Sequence, residues 1–286
     1  MSKVHRDIAV ILLALCLSFG GLSFGCQSSS EVSTWESLAD GFEVRSFKVS
    51  AGDSPRKAKI TVLRIDPSRW SLELRSRSEI GGPNDKNIMQ WCNSESEVGE
   101  LVAGINAGLY NKDFSSHIGY MKSGELLNNP KILRNQYFSA ALFGAETDDV
   151  PDFQMIDLDV TKLDSLIDKY RYVIQNLRLI KFPSENRWEE KTRKWSEAAL
   201  AEDSSGNALF IFAREPFNMV EFSQTILSLP LGIIRAQHLE GGPEAQMYYK
   251  VGDLQAEFVG SYESGSGDNS GSSAWPIPNA IVVKTK

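Results

Sequence analysis

Cysteine and histidine are scarce in this chain of 286 residues, which contains three of each. Zinc sites need clusters of these two residue types, and the sequence shows no such cluster. Cys16 and Cys26 lie in an N-terminal segment that is expected to be processed, so Cys92 stands alone and no internal disulfide is expected. A single cysteine in a helix-like segment such as that around Cys92 is usually a small buried hydrophobic residue.

Motifs of several common enzyme classes are also absent. Residues 26–286 contain no GxSxG nucleophile elbow, and the chain contains no P-loop or GxGxxG segment, which argues against a typical serine hydrolase, a nucleoside triphosphatase and a Rossmann dehydrogenase. Basic residues are fewer than acidic ones, 30 against 37, and the formal net charge is −7 at pH 7. A mildly acidic protein has no electrostatic basis for binding nucleic acid, so that class of partner is not expected.

The N-terminus has the pattern of an export signal over residues 1–25. Positive charge precedes a run of apolar and small residues, and the glycines at its end favour cleavage over a permanent membrane anchor. The segment "LSFGC" at 22–26 resembles a bacterial lipobox, although Ser23 stands where an aliphatic residue is usual. Ordinary cleavage near Gly25 is the alternative. We therefore expect an exported lipoprotein, attached to the membrane through lipid on Cys26, on the periplasmic side or at the cell surface.

The rest of the chain is predicted to form one domain. Residues 26–41 have the composition of a polar tether, and residues 42–286 show no internal repeat or convincing domain boundary. A hydrophobic content of 42% is enough for a real core. Residues 263–273, rich in glycine and serine, are predicted to form a flexible loop.

Strand and helix patterns are mixed along this domain. Residues 58–65 and 70–76 flank the turn sequence "DPSR" and predict a hairpin. Helices are predicted over 84–94, with Asn84 as N-cap, over 159–170, and from Asn218, where Glu221 completes a capping box. Because the elements do not alternate as βαβ units, we predict the α+β class, with a mixed β-sheet core and packed helices.

Polar side chains stand at the ends of three apolar strand patterns. Asn106 follows "VAGI", Gln175, Asn176 and Arg178 interrupt "IQNLRLI", and Glu240 follows "RAQHL". Burying such groups is unfavourable unless they are paired. They therefore form either a satisfied network in the core or the floor of a pocket, and the spacing alone leaves both interpretations open.

Glu240 is followed by two glycines, Gly241 and Gly242. A carboxylate at this position could serve as a general acid or base or as a cation ligand, and the glycines could let a phosphate or a sugar approach the backbone. An exposed acid in a turn is the alternative. His238 shares a face with Glu240 if the chain is extended there, and His117 is the other candidate histidine. A structural role is the alternative for each histidine.

A series of short segments between residues 58 and 284 supports a more specific interpretation. In chain order they are "NAGLY" (106–110), "GYMKSGELLNNP" (119–130), "QNLRLI" (175–180), "FIFAR" (210–214), "HLEGGPEAQMYY" (238–249) and "PIPNAIVV" (276–283). Their order resembles the motif order of the phosphodiester glycosidase family. The resemblance implies a mixed α/β fold and hydrolysis of a sugar–phosphodiester bond.

The resemblance also implies roles for individual residues. The matched pocket positions are Asn106, Gln175, Arg214, Glu240, Gly241 and Gly242. Such a reaction needs a carboxylate at the reacting sugar, arginine to neutralise phosphate, and amides to orient hydroxyl groups. Glu240 would supply the carboxylate, and Arg214 or Arg178 the guanidinium.

This chain departs from the family pattern around the carboxylate. Glu240 stands in place of an aspartate, Pro243-Glu244-Ala245 stands in place of Gly-Ser-Ser, and His238 replaces a common asparagine. Glu244 would repel an anion, so phosphate would be bound differently here or not at all. The second acid stays open among Asp113, Asp203 and Glu244.

These observations predict an exported hydrolase of a sugar phosphodiester or related envelope glycan. An inactive glycan-binding or scaffold lipoprotein is the alternative. No cofactor or metal site is predicted, although a calcium ion beside the carboxylate stays open as an alternative. The predicted catalytic residues are Glu240, Asn106 and His238, and the predicted substrate-binding residues are Gln175, Arg178, Arg214, Gly241, Gly242 and His117.

Overall fold

A computed structural model describes residues 34–50, 57–80, 86–93, 100–189, 193–262 and 274–286. The predicted signal sequence 1–25, the lipidation site Cys26, the candidate N-cap Asn84 and the predicted loop 263–273 lie outside these ranges. Among the helices within them, none has the length and apolar character needed to span a bilayer.

Antiparallel strands make up most of the described chain. The strands are β1 (Glu36–Ala39), β2 (Phe42–Ser50), β3 (Lys57–Ile65), β4 (Trp70–Ser76), β5 (Leu101–Asn106), β6 (Met121–Ser123), β7 (Leu126–Asn129), β8 (Ser139–Ala145), β9 (Phe153–Asp157), β10 (Tyr170–Asn176), β11 (Arg178–Lys181), β12 (Glu185–Asn186), β13 (Trp195–Asp203), β14 (Ala208–Phe217), β15 (Ile233–His238), β16 (Gln246–Val251), β17 (Leu254–Val259) and β18 (Asn279–Thr285). The helices are α1 (Arg77–Ile80), α2 (Ile88–Asn93) and α3 (Met219–Ser228), with 3₁₀ turns at Leu163–Ser165, Ile167–Lys169 and Gly242–Glu244.

The strands form three sheets that share one core. The largest sheet has the order β1-β2-β3-β14-β13-β15-β11-β12, and the two smaller sheets have the orders β7-β6-β10-β8-β9 and β17-β16-β5-β18-β4. Phe210 of the large sheet, Phe143 of the second and Ile105 of the third belong to the same buried cluster. Burial of apolar surface therefore joins the three sheets.

The described part of the chain is mostly β, so the prediction of an α+β fold with packed helices overstated the helical part. Among the helices in the described ranges, only α3 reaches ten residues. Residues 159–170, predicted as an amphipathic helix, instead form two 3₁₀ turns that bury Leu163. The segment must enter β10 at Tyr170, and so short a segment gains too little from helix formation to offset nucleation.

The predicted hairpin between residues 58–65 and 70–76 is wrong, although both strands exist. β3 pairs with β2 and β14, whereas β4 pairs with β18 in another sheet. The turn itself is present, since the amide of Trp70 donates to the carbonyl oxygen of Asp66 over 3.0 Å. It directs the chain from one sheet to the next because long-range pairings, which local sequence does not encode, stabilise each strand.

Two boundaries also differ from the sequence predictions. β1 lies within the predicted tether 26–41 and pairs with β2, so the fold begins before residue 42. α2 begins at Ile88, where Asn87 and Gln90 bond reciprocally to each other's amides over 2.8 and 2.9 Å. The capping box of α3 is confirmed, because Asn218 Oδ1 accepts from the Glu221 amide over 2.9 Å.

Candidate active site

β15 carries the candidate carboxylate to a fixed point at the end of the large sheet. The strand lies between β13 and β11, so its backbone is held on both sides. The amide of His238 donates to Leu177 O over 2.8 Å, and the amide of Leu239 donates to Ala198 O over 3.0 Å. Glu240 therefore follows directly on a rigid segment, which is the support that a reacting group requires.

Glu240 itself is partly buried, and its ionisation is perturbed. Burial raises the pKa of its carboxyl group to about 7, because the charged form is disfavoured away from water. His238 opposes the rise, Glu244 adds to it, the Gly241 amide opposes it, and Glu197 adds to it. A carboxyl group that titrates near neutral pH can donate or accept a proton under physiological conditions.

Glu244 lies in the same site as Glu240. Both carboxyl groups contribute to raised pKa values of the Tyr110 and Tyr262 hydroxyls, after the larger effect of burial. The Tyr110 hydroxyl donates to Glu244 Oε1 over 3.4 Å. Burial also raises the pKa of Glu244. The site therefore contains two carboxyl groups and two phenol groups within electrostatic reach of one another.

The other two candidates for a second acid are engaged in turns. Asp113 accepts from the amides of Ser115 and Ser116, each over 3.0 Å. Asp203 accepts from the amides of Ser205 and Asn207 in the turn between β13 and β14, over 2.8 and 2.9 Å. Among the three open candidates, only Glu244 shows electrostatic coupling to Glu240.

Asn106 braces the backbone beside Glu240. Its buried side chain donates from Nδ2 to Glu240 O over 3.1 Å and accepts at Oδ1 from the Gln246 amide over 3.1 Å. Asn176, also buried, donates to Ala107 O over 2.9 Å. Asn106 thus positions the loop that carries Glu240, a supporting role, whereas the sequence predicted it as a catalytic residue.

Gln175 is a structural brace and not the predicted substrate ligand. Its Oε1 accepts from the amides of Tyr120 and Leu133 over 3.1 and 3.0 Å. Its Nε2 donates to Leu133 O and Tyr137 O over 2.7 and 2.6 Å. These four bonds use both hydrogens and both lone-pair positions of the amide, so none is left for a sugar.

His117 likewise has a structural role in place of the predicted substrate contact. The side chain is buried, and its Nε2 lies 2.7 Å from Gln175 O. A carbonyl oxygen only accepts, so Nε2 carries the hydrogen of the neutral ring. Burial lowers the pKa of His117 to about 4, and the ring therefore stays uncharged at neutral pH.

The two predicted phosphate-binding arginines each have partners within the protein. Arg178 is buried and bonded through Nη1 to Asp157 and Asp159 over 3.2 and 2.7 Å, so its charge is already compensated. Arg214 donates to Val259 O over 2.7 Å and lines a separate cavity of about 200 Å³ with Glu257.

The glycines after Glu240 make room for aromatic side chains of the protein itself. A Cβ atom on Gly241 would lie 2.2 Å from the Trp195 indole, and one on Gly242 would lie 2.8 Å from the Tyr262 ring. Gly242 also has a φ of +69°, which favours glycine. The backbone faces that the sequence suggested for substrate approach are therefore occupied.

A buried histidine–glutamate pair underlies the site. His238 Nδ1 lies 3.0 Å from Glu197 Oε2, and both side chains are buried. Burial raises the pKa of Glu197, and His238 opposes the rise. The sequence permitted a pair between His238 and Glu240, but the partner at this distance is Glu197. Glu197 was not among the residues singled out from the sequence, although a carboxylate inside the apolar strand "WSEAALAED" indicates a buried acid that needs a partner.

A cavity of about 820 Å³ opens beside Glu244. Its walls carry two aromatic contacts: the Tyr110 and Phe114 rings lie 5.3 Å apart, and the Trp275 ring lies 6.0 Å from that of Tyr262. The lining residues are Arg77, Tyr110, Asn111, Lys112, Asp113, Phe114, Glu244, Trp275 and Pro276. The volume is in the range of small-molecule sites.

The described ranges contain no group of three or more histidine, cysteine, aspartate or glutamate side chains arranged to hold a metal ion. Cys92 is buried in α2 and has a raised pKa because of that burial. A buried thiol with a raised pKa is a poor nucleophile.

Comparison with known proteins places these features in a family. The family model described as "Phosphodiester glycosidase" matches residues 99–284. No curated protein gives a significant match. The catalytic domain of zebrafish N-acetylglucosamine-1-phosphodiester alpha-N-acetylglucosaminidase, auto-inhibited by its pro-peptide, is similar with a TM-score of 0.58 at 12% identity, over 89% of this chain and 88% of that one. A hypothetical protein from Synechocystis is similar with a TM-score of 0.57 at 11% identity, over 90% and 64%. At these identities the structural likeness shows a shared fold.

Proposed function

This chain belongs to the phosphodiester glycosidase family, and on that premise we propose that it hydrolyses a sugar phosphodiester or a related envelope glycan. The observation that carries the proposal is Glu240, a shielded carboxyl group at the end of β15 with its pKa raised to about 7. Such a group keeps its proton below neutral pH and can deliver it to a leaving oxygen.

In the proposed reaction, Glu240 transfers its proton to the oxygen of the leaving group as the bond from the sugar carbon to that oxygen breaks. Water then supplies a hydroxyl to the sugar carbon and a proton that restores Glu240. The buried surroundings of Glu240 favour its protonated form before the reaction.

Glu244 is our candidate for the second carboxyl group. Its coupling to Glu240 and its bond from Tyr110 support a role in activating water or stabilising the oxocarbenium-like centre. The family pattern has no acid here, so this assignment applies to the present chain.

The alternative function, a glycan-binding or scaffold protein without catalysis, also has structural support. Arg178 and Arg214 have partners within the protein and do not line the cavity beside Glu244, and Trp195 fills the space beside Gly241. A site without these guanidinium groups stabilises phosphate less, although it could still bind a neutral sugar.

An activity screen separates the two functions. Aryl phosphodiester glycosides and simple aryl glycosides are assayed with wild type, Glu240→Gln and the control Glu125→Gln, which changes an exposed carboxylate in the turn between β6 and β7. Loss of a general acid should reduce kcat by about 100-fold or more, while the control stays unchanged. Absence of turnover in the wild type, with sugar binding retained, would support the binding protein.

Export and membrane attachment through Cys26 form a separate part of the proposal, supported by the N-terminal sequence pattern. Metabolic labelling with palmitate tests it, with and without inhibition of lipoprotein processing by globomycin. The wild-type chain should take up label, and Cys26→Ala should not. Label on Cys26→Ala would refute the lipidation site.

A further inference from the structure

Large aromatic side chains are exposed around the cavity beside Glu244. Phe114, Tyr262 and Trp275 have exposed fractions of 48%, 49% and 46%. Phe114 and Trp275 line the cavity, and Tyr262 packs edge-on against Trp275. Exposed apolar groups that gather at one concave site mark a binding surface better than isolated ones do.

The volume of the cavity favours a ligand larger than one sugar ring. Its volume of about 820 Å³ lies in the upper part of the range for small-molecule pockets. Tyr110 and Phe114 contribute one aromatic wall, and Trp275 contributes another. Aromatic faces pack well against the C–H groups on the flat faces of a pyranose ring.

The formal charges that line the cavity balance. Arg77 and Lys112 are basic residues, and Asp113 and Glu244 are acidic residues. Arg77 also donates to Phe114 O over 3.2 Å. A lining without net charge gives no long-range attraction for an anion. Aromatic walls with Glu244 and Asn111 as polar groups are complementary to an uncharged ring that carries hydroxyls.

The position of the cavity relative to Glu240 defines which part of a substrate it would hold. Glu244 lines the cavity and Glu240 does not, although the two carboxyl groups are electrostatically coupled. The cavity therefore extends from the carboxyl pair on the side of Glu244. We propose that it binds a second, uncharged pyranose ring of the substrate, linked to the ring whose bond is cleaved at Glu240. That the ring belongs to a substrate rests on the proposed function, whereas binding of a ring at the cavity is independent of it.

Calorimetric titration tests ring binding with the full chain. The probes are the disaccharides chitobiose, cellobiose and maltose, with inorganic phosphate as a separate arm. At least one disaccharide should bind, and Trp275→Ala should weaken its binding by roughly tenfold. Phe182→Ala, which removes an aromatic side chain of similar exposure (48%) outside the cavity lining, should leave binding unchanged. Phe114→Ala provides a second cavity variant in case one fails to fold.

Three results would overturn the inference: no disaccharide binds, Trp275→Ala binds as tightly as wild type, or phosphate is the only probe that binds at the cavity. Kinetics then distinguish this inference from the proposed function. Trp275→Ala should raise KM for an aryl glycoside with two rings and leave KM for the one-ring analogue unchanged. An equal rise in KM for both substrates would refute the assignment of the cavity to a second ring, while the proposed hydrolysis would be unaffected. If disaccharide binding depends on Trp275 but no substrate is turned over, the ring-binding site is supported and the proposed hydrolase function is refuted.

Discussion

His238 Nδ1 lies 3.0 Å from Glu197 Oε2, and this buried pair joins the neighbouring strands β13 and β15 two residues before Glu240. Moving an imidazole and a carboxylate out of water is unfavourable, and their mutual attraction offsets that penalty only while both are present. The strand end that carries Glu240 therefore depends on a pair whose members need each other.

Removal of one member of the pair should destabilise the protein more than removal of both. His238→Ala leaves Glu197 buried without its partner, and we expect the free energy of unfolding to fall by about 3–5 kcal/mol. Adding Glu197→Gln replaces the buried carboxyl group by an amide and should recover part of that loss. Urea unfolding of the two single variants and the double variant measures the coupling. Additive effects would show that the two side chains do not interact.

Glu240→Gln should stabilise the protein at high pH while it removes activity. The folded pKa is about 7 against an ordinary value of 4.5, so the folded state holds a proton that the unfolded state releases between those values. Stability from this group therefore decreases as pH rises through that window, by up to about 3 kcal/mol.

Urea unfolding at pH 4.5 and pH 8 checks this expectation. Glu240→Gln should match the wild type at pH 4.5 and exceed its free energy of unfolding at pH 8, whereas Glu125→Gln should show no such difference. An equal effect of Glu240→Gln at both pH values would mean that Glu240 titrates normally.

His117 should make the fold sensitive to acid. Its folded pKa is about 4 and its ordinary value is 6.5, so the unfolded state takes up a proton first as pH falls. The resulting loss of stability develops between pH 6.5 and 4 and amounts to about 3 kcal/mol at most. His117→Gln should destabilise at pH 7.5, because the bond to Gln175 O is disturbed, but should show a smaller acid-induced loss than wild type. The opposite trend would place a charged ring at this position.

The sequence predicted where polar groups would appear but not how they are used. Asn106, Gln175 and Glu240 follow or interrupt apolar runs, and the first two are buried while Glu240 is partly buried, as such patterns suggest. Whether an amide faces a ligand or a backbone carbonyl depends on loops that approach from distant parts of the chain. The loop at Leu133 and Tyr137 saturates Gln175, and nothing within "IQNLRLI" encodes that approach.

The role of Glu197 could not be predicted from the sequence, because it depends on how distant strands pair. Its carboxylate lies in a strand that reads as an ordinary hairpin arm, and its importance comes from the register that sets Ala199 opposite His238. Strand register across three neighbouring strands is a long-range property, as is the separation of β3 from β4 into different sheets. Local capping, by contrast, needs only a few residues, and the capping box at Asn218 was predicted correctly.

Gly241→Ala should destabilise the protein because the new methyl group would overlap the Trp195 indole at 2.2 Å. Overpacking of this kind typically lowers the free energy of unfolding by about 1–3 kcal/mol. The φ of Gly241 is −99°, so alanine meets no backbone strain there and the effect isolates the contact. A second change, Trp195→Ala, opens the space, so the double variant should lose less than the sum of the single variants. If the losses simply add in thermal unfolding, the indole is not the obstacle.

Asn106→Asp should impair the position of Glu240 selectively. The substitution keeps the Oδ1 acceptor for the Gln246 amide but replaces the Nδ2 donor, so an oxygen faces Glu240 O. Leaving a buried carbonyl without its donor costs about 1–3 kcal/mol, and repulsion between the two oxygens shifts the loop that carries the acid. Asn106→Ala removes both bonds and should destabilise the protein further.

Activity per folded molecule distinguishes positioning from a purely structural role of Asn106. For a general acid displaced from the leaving oxygen, kcat should fall by more than tenfold in Asn106→Asp while KM changes little, since proton delivery depends on geometry within hydrogen-bonding reach. Unfolding curves measured on the same preparations supply the folded fraction. A variant that is less stable but turns over normally when folded would limit Asn106 to holding β5 and β16 together. In that case, a residue other than Asn106 would hold Glu240 in place beside the second carboxyl group, Glu244.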